Sequence, residues 1–137
     1  MDAGSPSRDI CERTFNYAIR AVELFDHLTQ LERRAAWVIA NQYLRAATSI
    51  GANLEEAQAG ESRSDFAHKC AVSLKEARES LFWLRLLQHG RIVPSPRLDP
   101  IVQETRELIA ILTTIVVKTK RAFRPRLPLI LTLLLGI

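Results

Sequence analysis

Apolar residues recur three and four positions apart along most of this chain, and polar punctuation divides them into four helical patterns. The first pattern can start after Ser7 as an N-cap, with Asp9 in the first turn where the helix dipole favours an acid. Its inner stripe is Ile10 or Cys11, then Thr14, Ala18, Ala21, Phe25 and Leu28. Thr29 followed by Glu32 reads as a capping box and places the start of a second helix there. That helix repeats Trp37, Ala40, Leu44, Ala47, Gly51 and Leu54 and should end near Gly60. Ser62 with Asp65 three residues on is a weaker cap for a third helix. Its stripe is Phe66, Cys70, Ser73, Ala77, Leu81 and Leu84, with Leu74 beside the seam, and it stops at Gly90. Residues 91–100 hold three prolines, and either Ser95–Pro96 or Asp99–Pro100 supplies a cap with proline at the first helical position. The fourth pattern is the most regular: Leu98, Ile101, Thr105, Leu108, Leu112, Ile115 and Thr119.

Four amphipathic helices of roughly 20–30 residues with short connections are solved most simply by an all-α, antiparallel up-down-up-down four-helix bundle. No strand pattern competes. One domain over residues 1–126 accounts for these helices, and residues 127–137, LPLILTLLLGI, form an apolar C-terminal tail. A membrane-spanning helix needs about 20 apolar residues, so the tail is too short to span. It is expected to pack into a groove on a neighbouring subunit, with peripheral membrane contact as the other reading.

Two apolar faces exceed what one core needs. Phe82, Trp83 and Leu86 lie off the seam of the third helix, and Val102, Ile109 and Val116 form a second stripe on the fourth. A wide core-facing stripe is one explanation; a subunit interface is the other, because open patches of this size promote aggregation.

Composition narrows the function classes. At 137 residues and 47% apolar content the chain is one domain with enough material for a core. Cys11 and Cys70 make neither a disulfide framework nor a zinc site, and Cys70 falls on an apolar stripe. Residues 1–8 are polar with no apolar run following, so no export signal opens the chain and a cytoplasmic location is expected. A di-metal bundle site needs two Glu-x-x-His pairs, and only Asp65-x-x-His68 comes near that spacing. There is no nucleophile elbow and no Gly-rich phosphate loop, so neither catalysis nor a cofactor is expected. Residues 1–117 carry 14 Lys and Arg against 15 Asp and Glu, whereas the whole chain is +4. The positive excess therefore comes from Lys118, Lys120, Arg121, Arg124 and Arg126. These are candidate phosphate contacts, with Arg33, Arg34 and Arg45 as secondary candidates. Equally, they are the cations that a helix C-terminus favours.

Asn53 and Glu56 sit three apart on one helix, and Ser73 and Glu76 repeat the spacing on the next. An antiparallel turn near residues 60–63 brings the two pairs to comparable heights, as a register-fixing polar cluster, a recognition surface or ordinary exposed positions. The run Ser49-Ile50-Gly51-Ala52-Asn53-Leu54-Glu55-Glu56 resembles the Ser-Ile-Pro-Ala-Asn-Ile-x-Glu segment of the four-helix-bundle proteins encoded in intervening sequences of bacterial large-subunit rRNA genes. Phe66 and Ser73-Leu74-x-Glu76 fall where that family's third helix has similar residues. The likeness covers roughly residues 10–118 and is specific over 45–85. Gly51 replaces the usual proline, and Ala57 stands where glycine is common. The resemblance implies a cytosolic homo-oligomer, a pentamer, without enzymatic activity. Accessory proteins of diversity-generating retroelements are similar to the family and imply binding of structured RNA or a ribonucleoprotein partner. The expectation is a non-enzymatic oligomeric scaffold of that kind; a purely protein–protein interaction module is the alternative.

Overall fold

The computed structural model describes residues 6–123, which form four helices and no strand. They are α1 (Pro6–Thr29), α2 (Arg34–Ala59), α3 (Arg63–His89) and α4 (Ser95–Ala122). Contacts across each pair run in opposite order along the two helices. Thr14 lies against Gly51 while Tyr17 meets Tyr43; Arg45 pairs with Glu79 while Lys69 pairs with Glu56. Gln88 reaches Asp99 across the last turn between helices, at 3.0 Å. Neighbours are therefore antiparallel, and α4 returns to α1 at a wider spacing than separates the other adjacent pairs. The C-terminus of α4 and the N-terminus of α1 share one end of the bundle.

Local chemistry sets the helix ends. The Ser62 hydroxyl accepts from the Asp65 amide at 3.0 Å, which is the cap expected from the sequence. Thr29 and Glu32 do not form a capping box. The Thr29 hydroxyl instead donates to the carbonyls of Phe25 and Asp26, so α1 runs on through Thr29 and α2 waits until Arg34. Neither Ser95 nor Asp99 caps α4, which opens one residue earlier, behind Pro94, and carries Pro96 in its first turn and Pro100 within it. Gly90 closes α3 because a Cβ there would approach the Leu86 carbonyl to 2.6 Å, and the left-handed residue that turns the chain is Arg91, at φ 52°.

On α3 and α4 the expected Cys70, Ser73, Ala77, Leu84, Leu98, Ile101, Thr105, Leu108 and Leu112 are buried. On α2 the core face is rotated from the expected stripe, although Gly51 of that stripe is buried as well. On α2 the buried series is Ala36, Ala40, Tyr43, Ala47, Ile50, Leu54 and Ala57, while Trp37 is 58% exposed. Both this series and the expected one keep three-four spacing and share Ala40, Ala47 and Leu54, so periodicity alone does not choose between them. Small alanines let the flanking helices approach, and Tyr43 enters the core because its hydroxyl finds partners there. Tyr43 donates to Tyr17 at 3.0 Å, Tyr17 lies 2.7 Å from the Thr105 hydroxyl, and Thr105 donates to the Ile101 carbonyl at 2.6 Å. This relay joins α2, α1 and α4 through three hydroxyl-bearing residues that are each at most 1% exposed. Burial pushes both tyrosine pKa values up, opposed at Tyr17 by its bonds to Thr105 and Tyr43. Both rings stay neutral and able to donate.

Tyr17→Phe removes the middle of the relay and strands the Tyr43 hydroxyl, so it should cost about 1–3 kcal/mol in urea unfolding. Tyr43→Phe removes only the terminal donor and should cost less; an equal or larger loss would contradict this order of donation.

Candidate functional site

The family-like segment is built into the α2–α3 contact. Ile50 is fully buried, and its carbonyl accepts from the equally buried Ser73 hydroxyl at 2.8 Å. Ser49 donates to the Arg45 carbonyl at 2.7 Å, and Asn53 to the Ser49 carbonyl at 2.8 Å. Glu56 takes Lys69, and Glu76 takes Arg45 at 3.4 Å. The four polar residues thus serve separate contacts rather than one cluster. Gly51 faces Thr14 closely, at 3.4 Å from a built Cβ to the Thr14 hydroxyl, and α2 passes through it as one helix.

Some cations of the body are engaged, whereas Arg20, Arg63, Lys75, Arg78, Arg85, Arg97 and Arg106 stand exposed in no ion pair among the described residues. Arg13 binds Glu104 through two bonds, at 2.8 and 3.0 Å, and also Glu107. The hydrogen bond from Arg13 holds the Glu104 carboxyl below the usual carboxylate value, against the opposing effect of burial. Arg45 lowers Glu79 in the same way and ties α2 to α3 through that pair, at a side chain that stays half exposed. Arg33 donates to the Arg91 carbonyl at 3.0 Å and ties the α1–α2 loop to the α3–α4 loop. Arg34 is exposed. Lys118, Lys120 and Arg121 stand exposed in the last turns of α4, in no ion pair among the described residues. Arg124, Arg126 and the tail at 127–137 lie outside the described residues.

The expected interface residues divide. Val102 and Val116 are 7% and 6% exposed and belong to the chain's own core, which removes them from any surface; α4 turns them inward beside Leu98 and Leu112. Ile109 and Trp83 are half-buried, and Trp83 donates to Glu79 at 3.2 Å. Phe82 is 51% exposed, and Leu86 is exposed beside it. Val38 lies seven residues before Arg45 and Leu86 seven after its partner Glu79, so an exposed Val38 shares their flank.

Sequence periodicity missed a further apolar surface. Phe15, Ile19 and Val22 are exposed along α1, with Phe15 at 62%. Beside them a mostly apolar cleft of about 310 Å³ lies between Cys11, Phe15 and Ala18 on one side and Thr48, Ala52 and Glu55 on the other, with Gly51 also lining it. Burial, then the Glu55 carboxylate, push the Cys11 thiol pKa up, which argues against a reactive thiolate there. Among the described residues no group of acids, histidines and cysteines is placed to hold a metal, and no helix is long and apolar enough to cross a membrane.

The model of the family described as 23S rRNA-intervening sequence protein matches residues 8–114. The chain belongs to this family. A crystal structure of a protein of unknown function from the S23 ribosomal protein family of Bacteroides thetaiotaomicron has the same architecture, with a TM-score of 0.74 and 32% identity. The similarity covers 80% of this chain and 96% of that one. No curated protein sequence matches the chain. The family match stops before Lys118, so the basic end of α4 and the aliphatic tail lie beyond it.

The Arg13–Glu104 contact makes stability depend on pH. A carboxyl held below its ordinary 4.5 contributes fully above that value, and the contribution is lost as pH falls through the lower folded value. Arg13→Met should therefore cost roughly 1 kcal/mol at pH 7. Its unfolding curve should converge on that of the parent chain below pH 4.5; an unchanged gap at low pH would remove the assignment.

Proposed function

We propose that this member of the 23S rRNA-intervening sequence protein family is a non-enzymatic, self-associating scaffold in the cytoplasm whose basic α4 end contacts structured RNA or an RNA-bound partner. The carrying observation is the concentration of cations. Lys118, Lys120 and Arg121 stand exposed within four residues of one another and in no ion pair among the described residues, whereas other unpaired cations such as Arg20, Arg63, Arg85 and Arg97 are spread over α1, α3 and α4. Phosphate oxygens are the ligands that such a group of cations recognises, as point charges and without base specificity. Arg124 and Arg126 extend the same segment in sequence, and Arg34 adds an exposed cation at the opposite end of the bundle.

Fluorescence anisotropy of a labelled structured RNA, titrated at several salt concentrations, tests this reading. Binding should weaken linearly in log salt, and neutralising Lys118, Lys120 and Arg121 together should remove about 2–3 units of slope. Absence of binding at low salt would leave a protein-only interaction module, which the exposed Phe15, Trp37 and Phe82 also fit.

Self-association is supported by the flank of Val38, Phe82 and Leu86, large apolar side chains gathered on one side of the α2–α3 pair. A closed ring such as a pentamer satisfies a repeated contact of this kind without leaving an open end. In sedimentation, Phe82→Glu with Leu86→Glu should shift the chain toward its own mass of 15.5 kDa; an unchanged mass would place the interface elsewhere.

A further inference from the structure

The cleft between α1 and α2 and the aliphatic segment 127–137 are two apolar surfaces of one chain that the four-helix core does not use. We infer that residues 127–137 fold back over the start of α1 and cover this cleft in the same chain. Position, length and charge order support the pairing.

The end of α4 and the start of α1 lie at one end of the bundle, and the cleft opens about a turn and a half into α1, at Cys11. Residues 124–137 reach about 46–50 Å when extended. One helix axis lies about 10 Å from the next, and the stripe from Cys11 to Val22 runs about 16 Å at 1.5 Å per residue. An apolar segment laid in a groove between two helices is a common mode of recognition.

Polarity follows the same order on both sides. Beyond Phe123 the chain presents Arg124 and Arg126 first, then Leu127, Leu129, Ile130, Leu131, Leu133 and Leu134. From the same end of the bundle the groove presents Glu55 and Cys11 first, then Phe15, and the exposed Ile19 and Val22 continue the apolar stripe along α1. Glu55 is in no ion pair among the described residues. Seating the tail this way sets cations beside the Glu55 carboxylate and aliphatics beside the exposed α1 stripe. Lys118, Lys120 and Arg121 remain free, so this pairing stands or falls independently of RNA binding.

The test uses the full chain with the photo-crosslinker p-benzoylphenylalanine at Phe15, a position exposed enough to tolerate it. The same group at Phe82 serves as the off-site control, and equal parts of light and heavy isotope chains are mixed before irradiation. Crosslinks from position 15 to peptides within 127–137 of the same isotope are expected. They should be missing from position 82, and lost when Leu131→Asp and Leu134→Asp are introduced together. The labelling rate of Cys11, followed by peptide mapping, should rise in that double variant, because its cover is gone. Crosslinks to residues 9–123 of a second copy would make the cleft an interface between copies. Mixed-isotope crosslinks to the tail would mean exchange between subunits. Flotation of the full chain with lipid vesicles, accompanied by loss of the position-15 crosslink, would assign the tail to a membrane surface. Each of these three results, or an unchanged Cys11 rate in the tail variant, overturns the inference.

Discussion

Three hydroxyls buried at the centre of the bundle constrain everything around them. Tyr43, Tyr17 and Thr105 come from three different helices, and each would carry a desolvation penalty without its partner. The relay ends on the Ile101 carbonyl, a group already within α4, so every member is satisfied only when α1, α2 and α4 stand at one relative height. Ser73 on the Ile50 carbonyl does the same for α2 and α3. No buried side-chain nitrogen or oxygen among the described residues is left without a partner. Apolar packing supplies most of the driving force, but it tolerates sliding and rotation; these directional bonds select one register.

Register in turn decides which apolar residues stay outside. With alanines at 36, 40, 46, 47, 57 and 77 in the core, the helices pack closely and large side chains are displaced to the flanks. Phe15, Trp37 and Phe82 are exposed for that reason, and with them come the α1–α2 cleft and the Phe82–Leu86 flank. The charge distribution has the same origin. Glu104, Glu107, Glu76 and Glu79 are brought opposite Arg13 and Arg45 by the helix pairing, while Lys118, Lys120 and Arg121 gather three exposed cations at the end of α4.

Much of the architecture was legible in the chain. Four helices follow from the three-four spacing, Ser62 from its cap chemistry, and Gly90 as a stop. Family membership was legible in residues 49–56 and 73–76, whose side chains now account for the α2–α3 contact. Thr29 and Glu32 misled because a threonine hydroxyl satisfies a preceding carbonyl as readily as a following amide. Val102 and Val116 looked like surplus beside a regular stripe, yet a helix packed between two neighbours buries a face wider than one residue per turn.

The sequence by itself determined the elements, the class of fold, the family and the concentration of positive charge near residue 118, because spacing, capping chemistry and composition are local properties. Tertiary structure alone decided which of two equally spaced faces of α2 became core, that Arg45 is spent on Glu76 and Glu79, and that Phe15 and Phe82 remain outside. Those outcomes depend on the rotation and height of each helix against its neighbours. They are set by hydrogen bonds between residues as far apart as Tyr17 and Thr105, which no local pattern encodes.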